Sequence, residues 1–103
     1  MSAACEGIFT IRSPLGLHAR PAGVFVSRAG RFVSHIEVAR ADGDPEWVDG
    51  RSILSLLSLA AGSGTRLRVR AEGPDAETAV AVLGGLLEAH EEEPVAGGGA
   101  AGV

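Results

Sequence analysis

His18 and Arg20 lie at the one place in this chain where residue types and spacing point directly to chemistry. The stretch reads Ser13-Pro14-Leu15-Gly16-Leu17-His18-Ala19-Arg20-Pro21-Ala22. After a glycine-containing turn, Ala22, Phe25, Val26 and Ala29 recur at i, i+3, i+4 and i+7, the stripe of an amphipathic helix. The spacing predicts a helix over about residues 18–29, closed by Gly30, with His18 at or beside its N-cap. A helix start collects unpaired backbone N–H groups and the positive end of the peptide dipoles, which favours an anion. With His18 as N-cap, Pro21 takes the third helical position, where its missing N–H costs no hydrogen bond. The residue before a proline is biased away from helical angles, which suits an Arg20 side chain pointing outward.

An imidazole, a guanidinium two residues on and a helix N-terminus are the parts needed to hold a phosphoryl group on histidine. A nucleophilic imidazole has to be unprotonated, and nearby positive charge disfavours a further proton. The same charge then stabilises the added phosphate, for which the planar arginine fork is better matched than an ammonium. Positioning and electrostatics supply most of the catalysis in phosphoryl transfer, so no deep pocket is required. On chemistry alone, a single histidine at a helix start is also an ordinary capping or surface residue.

The elements that must position this segment can be read from periodicity. Residues 7–12 alternate, with Ile8 and Thr10 on one side and Phe9 and Ile11 on the other, giving a first strand. Residues 31–40 alternate around Phe32, Ser34, Ile36 and Val38, and the Asp42-Gly43-Asp44-Pro45 turn leads to a weak second arm at Glu46-Trp47-Val48. A second helix is expected from Arg51 or Ser52 to Ala61, closed by Gly62-Ser63-Gly64. Residues 65–71 set Leu67, Val69 and Ala71 against Arg66, Arg68 and Arg70, a strand whose basic face meets water. Asp75 is the expected N-cap or first-turn acid of a last helix with the stripe Ala76, Ala79, Val80, Leu83, Leu86 and Leu87. The order predicts an α+β fold, an open-faced β-sandwich of β-α-β-β-α-β-α order. Its mostly antiparallel four-stranded sheet carries three helices on one face. Residues 1–93 form the expected domain, with residues 91–93 a solvated helix end and the Gly/Ala-rich tail 94–103 expected to be disordered.

Composition narrows the function. With 103 residues the chain suits one domain. Thirteen acidic residues against nine basic ones, all arginine, give a formal net charge of -4, which disfavours nonspecific nucleic-acid binding. Most of those arginines read as replacements of lysine by drift, Arg20 excepted. The single Cys5, in an unstructured-looking start, offers no disulfide or multi-cysteine zinc site. Neither His35 nor His90 stands at ligand spacing from His18, and there is no nucleotide-binding glycine loop, so no metal or cofactor is expected. No export signal and no membrane span is read, which makes the cytoplasm the expected compartment; a monomer is the expected state.

The string from Pro14 to Ala22 closely resembles the active-site signature of the HPr family, the histidine-containing phosphocarriers of the bacterial phosphoenolpyruvate-dependent sugar phosphotransferase system. The resemblance covers about residues 7–90 and extends to the order of elements. It implies that His18 accepts phosphate on Nδ1 from phosphorylated enzyme I and passes it to an enzyme II A component. Arg20 would be the partner arginine and the protein a stoichiometric carrier, not an enzyme. Gly50-Arg51-Ser52-Ile53-Leu54 resembles the family's regulatory serine segment, which makes Ser52 a candidate phosphorylation site and an HPr kinase/phosphorylase a further partner. The same serine also fits a plain helix N-cap.

Ile53, Leu54, Leu56, Leu57 and Leu59 cover more of the second helix than one buried stripe needs. With Leu56, Leu59 and Ala60 facing the core, Leu54 and Leu57 would be exposed and Ile53 at the boundary, a small docking patch. A wider buried face is the other arrangement. The resemblance likewise places Ile53, Leu54 and Leu57 in the surface that meets enzyme I and the enzyme II domains. Carriers linked to nitrogen regulation or to dihydroxyacetone kinase share this chemistry, and a regulatory binding module switched at Ser52 would use the same face. Leu15 departs from the small polar residue common at its position, and the tail runs beyond the usual family end.

Overall fold

The structure, a computed structural model, describes residues 3–89. Its elements are β1 (Ala4–Thr10), α1 (Ala19–Ala29), β2 (His35–Arg40), β3 (Val48–Asp49), α2 (Ile53–Leu57), β4 (Arg66–Glu72) and α3 (Ala76–Glu88). The sheet has the order β1-β4-β2-β3 with every neighbouring pair antiparallel, and the three helices cover one face, as the periodicities predicted. β4 is central because its alternation is the cleanest: Leu67, Val69 and Ala71 are buried under the helices while Arg66, Arg68 and Arg70 turn to the open face. α3 packs on β1 and β4, and α1 packs on α3. Phe9 fits against α3 because Gly84 has no side chain; a Cβ there would overlap the Phe9 ring. The expected tail at 94–103, His90 and the acidic run 91–93 lie outside the described residues.

Several boundaries differ from the sequence expectation. β1 begins at Ala4, so Cys5 is within a strand, opposite Ala71, and packs against the core. Small and polar residues gave no alternation there, yet backbone pairing with β4 holds the segment. The open face is less basic than the run of arginines suggested. Arg68 pairs with Glu6 at 3.2 Å, and Arg70 meets Glu37 at 2.7 Å while its guanidinium sits 3.8 Å over the Trp47 ring. Arg70 holds the Glu37 carboxyl below its usual range, with partial burial opposing and His35 adding to the effect.

α2 is five residues long, capped by Ser52, whose Oγ accepts the Ser55 N–H at 3.2 Å. After Leu57 the chain tightens into i→i−3 bonds from Leu59 to Leu56 and Ala60 to Leu57. That tightening rotates Ala60 outward, into a left-handed conformation (φ 51), and Ala61 inward, whereas the stripe had put Ala60 in the core. Leu56 and Leu59 are buried as expected. Leu57 is half-buried against the core and not fully exposed, because α2 is wedged between α1 and β3 and loses more of its circumference than a helix lying alone on a sheet.

Asp75 stands at the N-cap position of α3 but its carboxylate does not cap that helix. It instead accepts the N–H groups of Val33 and Ser34, both at 2.9 Å, and the Ser34 hydroxyl at 2.5 Å. From the other side, Arg51 donates to the carbonyls of Phe32 at 2.5 Å and Ser34 at 3.1 Å. The connection between α1 and β2 is thus clamped by a carboxylate on its donors and a guanidinium on its acceptors.

Ser34 and the two backbone N–H groups hold the Asp75 carboxyl below its usual value. A carboxyl lowered on folding contributes stability that is present above the unfolded pKa, about 3.9, and lost as pH falls through the folded value. Urea unfolding should therefore find Asp75→Asn less stable than the parent near neutral pH, with the gap closing once the pH drops well below about 4. A gap that persists at low pH would mean the charge on Asp75 is not what holds the clamp.

Candidate functional site

Backbone bonds between two distant segments hold the turn before α1. Ile11 donates to the Thr65 carbonyl at 2.9 Å, and Gly64 returns a bond to the Ile11 carbonyl at 2.8 Å. The turn itself closes from Gly16 N–H to the Ser13 carbonyl at 2.9 Å, and Leu17 N–H then donates to the Ala61 carbonyl at 2.8 Å. Gly16 has φ +76, and a Cβ on it would lie 2.6 Å from the Ala61 oxygen and 2.7 Å from Gly62 Cα. Only glycine satisfies both the left-handed angle and the close approach. Leu17 is buried, anchoring the turn, whereas Leu15 at its tip is 78% exposed.

This anchoring delivers His18 to the N-cap of α1 in an extended conformation (φ −95, ψ −170). Its carbonyl accepts the Ala22 N–H at 3.0 Å, which starts the helix, but its side chain caps nothing. The half-buried imidazole is therefore free of intramolecular duty at the helix end. The N–H groups of Ala19 and Arg20 have no intrahelical acceptor, and neither donates elsewhere among the described residues. Pro21 contributes no N–H. Arg20 is exposed and forms no ion pair among the described residues. His18 and Arg20 thus stand on the first turn of α1 as their spacing predicted, beside two donors waiting for an acceptor.

Sequence reasoning missed how the charges are partitioned. No Asp or Glu occurs in residues 7–36 or in residues 50–71. The anchored turn and α1 carry only positive formal charges, from Arg12, Arg20 and Arg28, α2 and residues 58–65 carry none, and the first turn of α1 has no acid. The signal was present in the order of charged residues, which the net charge conceals. An anion at the start of α1 meets the helix dipole and Arg20 with no carboxylate from these segments to repel it.

The expected docking residues lie on α2, beside α1. Leu54 is 80% exposed and Ile53 41%, with Leu57 contributing only its outer edge. Ser52 is half-buried, with its hydroxyl committed to Ser55. Next to the turn, a crevice lined by Ile11, Ser13, Gly16, Leu17, Pro21 and Leu87, among others, has a volume of about 10 Å³, too small to hold a substrate. Among the described residues, two clefts of substrate size, about 390 and 400 Å³, one among Glu6, His35, Glu37 and Arg70 and the other among Arg40, Asp42, Ser63 and Arg66, have neither His18 nor Arg20 in their walls.

Comparisons with known proteins bear on the family and the fold. The family model described as the PTS HPr component phosphorylation site matches residues 5–89. The phosphocarrier protein HPr of Pseudomonas aeruginosa is 42% identical over 85 residues, covering 82% of this chain and 91% of that protein. The multiphosphoryl transfer protein of Vibrio cholerae is 40% identical over 81 residues, 79% of this chain; the chain spans only 20% of that relative's length. Among solved structures, a phosphocarrier protein HPr from Bacillus anthracis superimposes with a TM-score of 0.76 at 34% identity, covering 84% of this chain and 99% of that one. With family match, sequence and fold in agreement over nearly all the described residues, this chain belongs to the HPr family.

Proposed function

We propose that this protein accepts a phosphoryl group on His18 from phosphorylated enzyme I and hands it to an enzyme II A component, as a cytoplasmic carrier in sugar uptake. The observation that carries the reading is the uncommitted His18 side chain at the N-cap of α1, next to the unpaired N–H groups of Ala19 and Arg20. In the transfer, a lone pair on the imidazole attacks phosphorus, the bond between phosphorus and the enzyme I donor breaks, and the phosphoryl group moves with no cofactor. Its oxygens are then met by helix N–H donors and by Arg20. By family resemblance the bond forms at Nδ1.

The same reading gives Ile53, Leu54 and the edge of Leu57 to partner docking and Ser52 to regulation. An apolar patch next to α1, which carries Arg20 and Arg28 and no carboxylate, suits a partner with an apolar centre and acidic surroundings. Phosphate on Ser52 would put negative charge beside that patch and repel such a partner, while the Ser55 N–H remains as a donor to it.

Incubation with enzyme I and phosphoenolpyruvate should add one acid-labile, base-stable phosphate, and His18→Ala should abolish it. A His18→Ala variant that still gained the phosphate would sink the assignment. Arg20→Lys should slow transfer about tenfold without lowering stability, because it keeps charge but loses the fork. Running the assay with a nitrogen-related enzyme I paralogue in parallel separates the pathways by rate.

Leu54→Ser tests the docking surface. Since Leu54 is 80% exposed, urea stability should stay within about 0.5 kcal/mol of the parent. The KM for the carrier with enzyme I should rise about tenfold if Leu54 is a contact worth somewhat over 1 kcal/mol. An unchanged KM would remove Leu54 from the interface.

A further inference from the structure

Arg40, the last residue of β2, spends its guanidinium on two targets. Nε and Nη2 take the two carboxylate oxygens of Asp42, each at 2.9 Å, and Nη1 donates to the carbonyls of Leu59 at 3.1 Å and Ala60 at 3.3 Å. Those carbonyls accept no backbone bond among the described residues, since the chain leaves α2 there through tight turns. Ala60 is also the one non-glycine residue with positive φ among the described residues. A conformation of that kind persists where surrounding contacts over-determine it. The next residue, Ala61, provides the carbonyl that accepts Leu17 N–H, and Ala61 with Gly62 forms the surface against which Gly16 is packed. His18 follows directly.

We propose that Arg40 is a positioning residue for phosphoryl transfer at His18: by holding the Leu59 and Ala60 carbonyls it fixes the turn on which the Gly16-Leu17 backbone is built. The inference rests on the reading of His18 as the acceptor. Arginine is required because the contact uses donors from three nitrogens in one plane, oriented by Asp42. A lysine ammonium reaches a carbonyl or the carboxylate without fixing the direction of either. Arg40 touches neither phosphate nor partner in this role. It acts through the backbone of residues 59–61 and then 16–17.

The test compares the parent with Arg40→Lys and Asp42→Asn by amide hydrogen exchange and by steady-state phosphorylation with enzyme I. In Arg40→Lys the Leu17 amide should exchange about tenfold faster while the Val69 amide, in the central strand, stays within about twofold. The kcat for transfer should fall about threefold to tenfold with KM little changed, because the docking surface on α2 is kept and the reacting group is misplaced. Asp42→Asn should move both readouts the same way by a smaller factor. Leu17 and Val69 amides accelerating together would reduce Arg40 to general stability, and an unchanged Leu17 amide or an unchanged kcat would also overturn the proposal. Mapping the phosphate on the parent keeps the two readings apart. A parent unphosphorylated at His18 overturns the carrier assignment and the role of Arg40 in transfer with it. A parent phosphorylated at His18 alongside an unaffected Arg40→Lys variant overturns the Arg40 proposal alone.

Discussion

The Leu17 amide and the Ala61 carbonyl, 2.8 Å apart and 44 residues apart in sequence, form the bond around which the rest of the site is organised. A neutral backbone hydrogen bond contributes on the order of 1 kcal/mol, so its importance is not its strength. It lies where the chain has left β1 and has not yet begun α1, and there no ladder or helix fixes direction. Gly16 allows the approach, the bonds between Ile11 and residues 64–65 bring the two segments alongside, and burial of Leu17 closes the contact. The start of α1 is thereby a fixed point on the molecule, and the two free donors of its first turn face a definite direction.

Charge placement works at the same scale. A chain of formal net charge -4 cannot attract an anion by its total, so the sign at the site has to be local. Glu6 and Glu37 are spent on Arg68 and Arg70 at the open face, on the opposite side of the sheet from the helices. Asp75 and Asp42 are likewise spent on a loop and on Arg40. The structure also revises the reading of the arginines as drift. Arg40 and Arg70 each direct their contacts from the planar fork, onto carbonyls, a carboxylate or an indole face, in ways an ammonium does not reproduce.

What the sequence made legible is what depends on neighbours in sequence. The stripes of α1 and α3, the alternation of β4 and the turn at Gly16 are local patterns, and the ten residues from Ser13 to Ala22 carry the whole first turn of the site. What it concealed depends on partners far along the chain. β1 reaches back to Ala4 because β4 pairs with it, and Leu57 is covered because α1 and β3 flank α2. Asp75 has the identity and position of a helix cap, yet the α1–β2 connection offers it two N–H groups and a hydroxyl at once, a better set than its own helix end. No periodicity encodes such a competition.

The short connections also explain how this chain can leave donors free without weakening the fold. Backbone groups withdrawn from water need partners, and segments 32–34 and 59–60 have no regular structure to supply them. Charged side chains do it instead: Asp75 and Arg51 for the first, Arg40 for the second. Among the described residues no buried side-chain nitrogen or oxygen lacks a hydrogen-bond partner. Against that background the N–H groups of Ala19 and Arg20 are donors left open at a solvent-facing helix start, where water can serve them until an acceptor arrives. A phosphoryl group on the adjacent imidazole would replace that water with charged oxygens, so the phosphorylated state gains its hydrogen bonds without breaking any the fold relies on. The proposed carrier role requires that condition, since the group would have to be held firmly and still be given away.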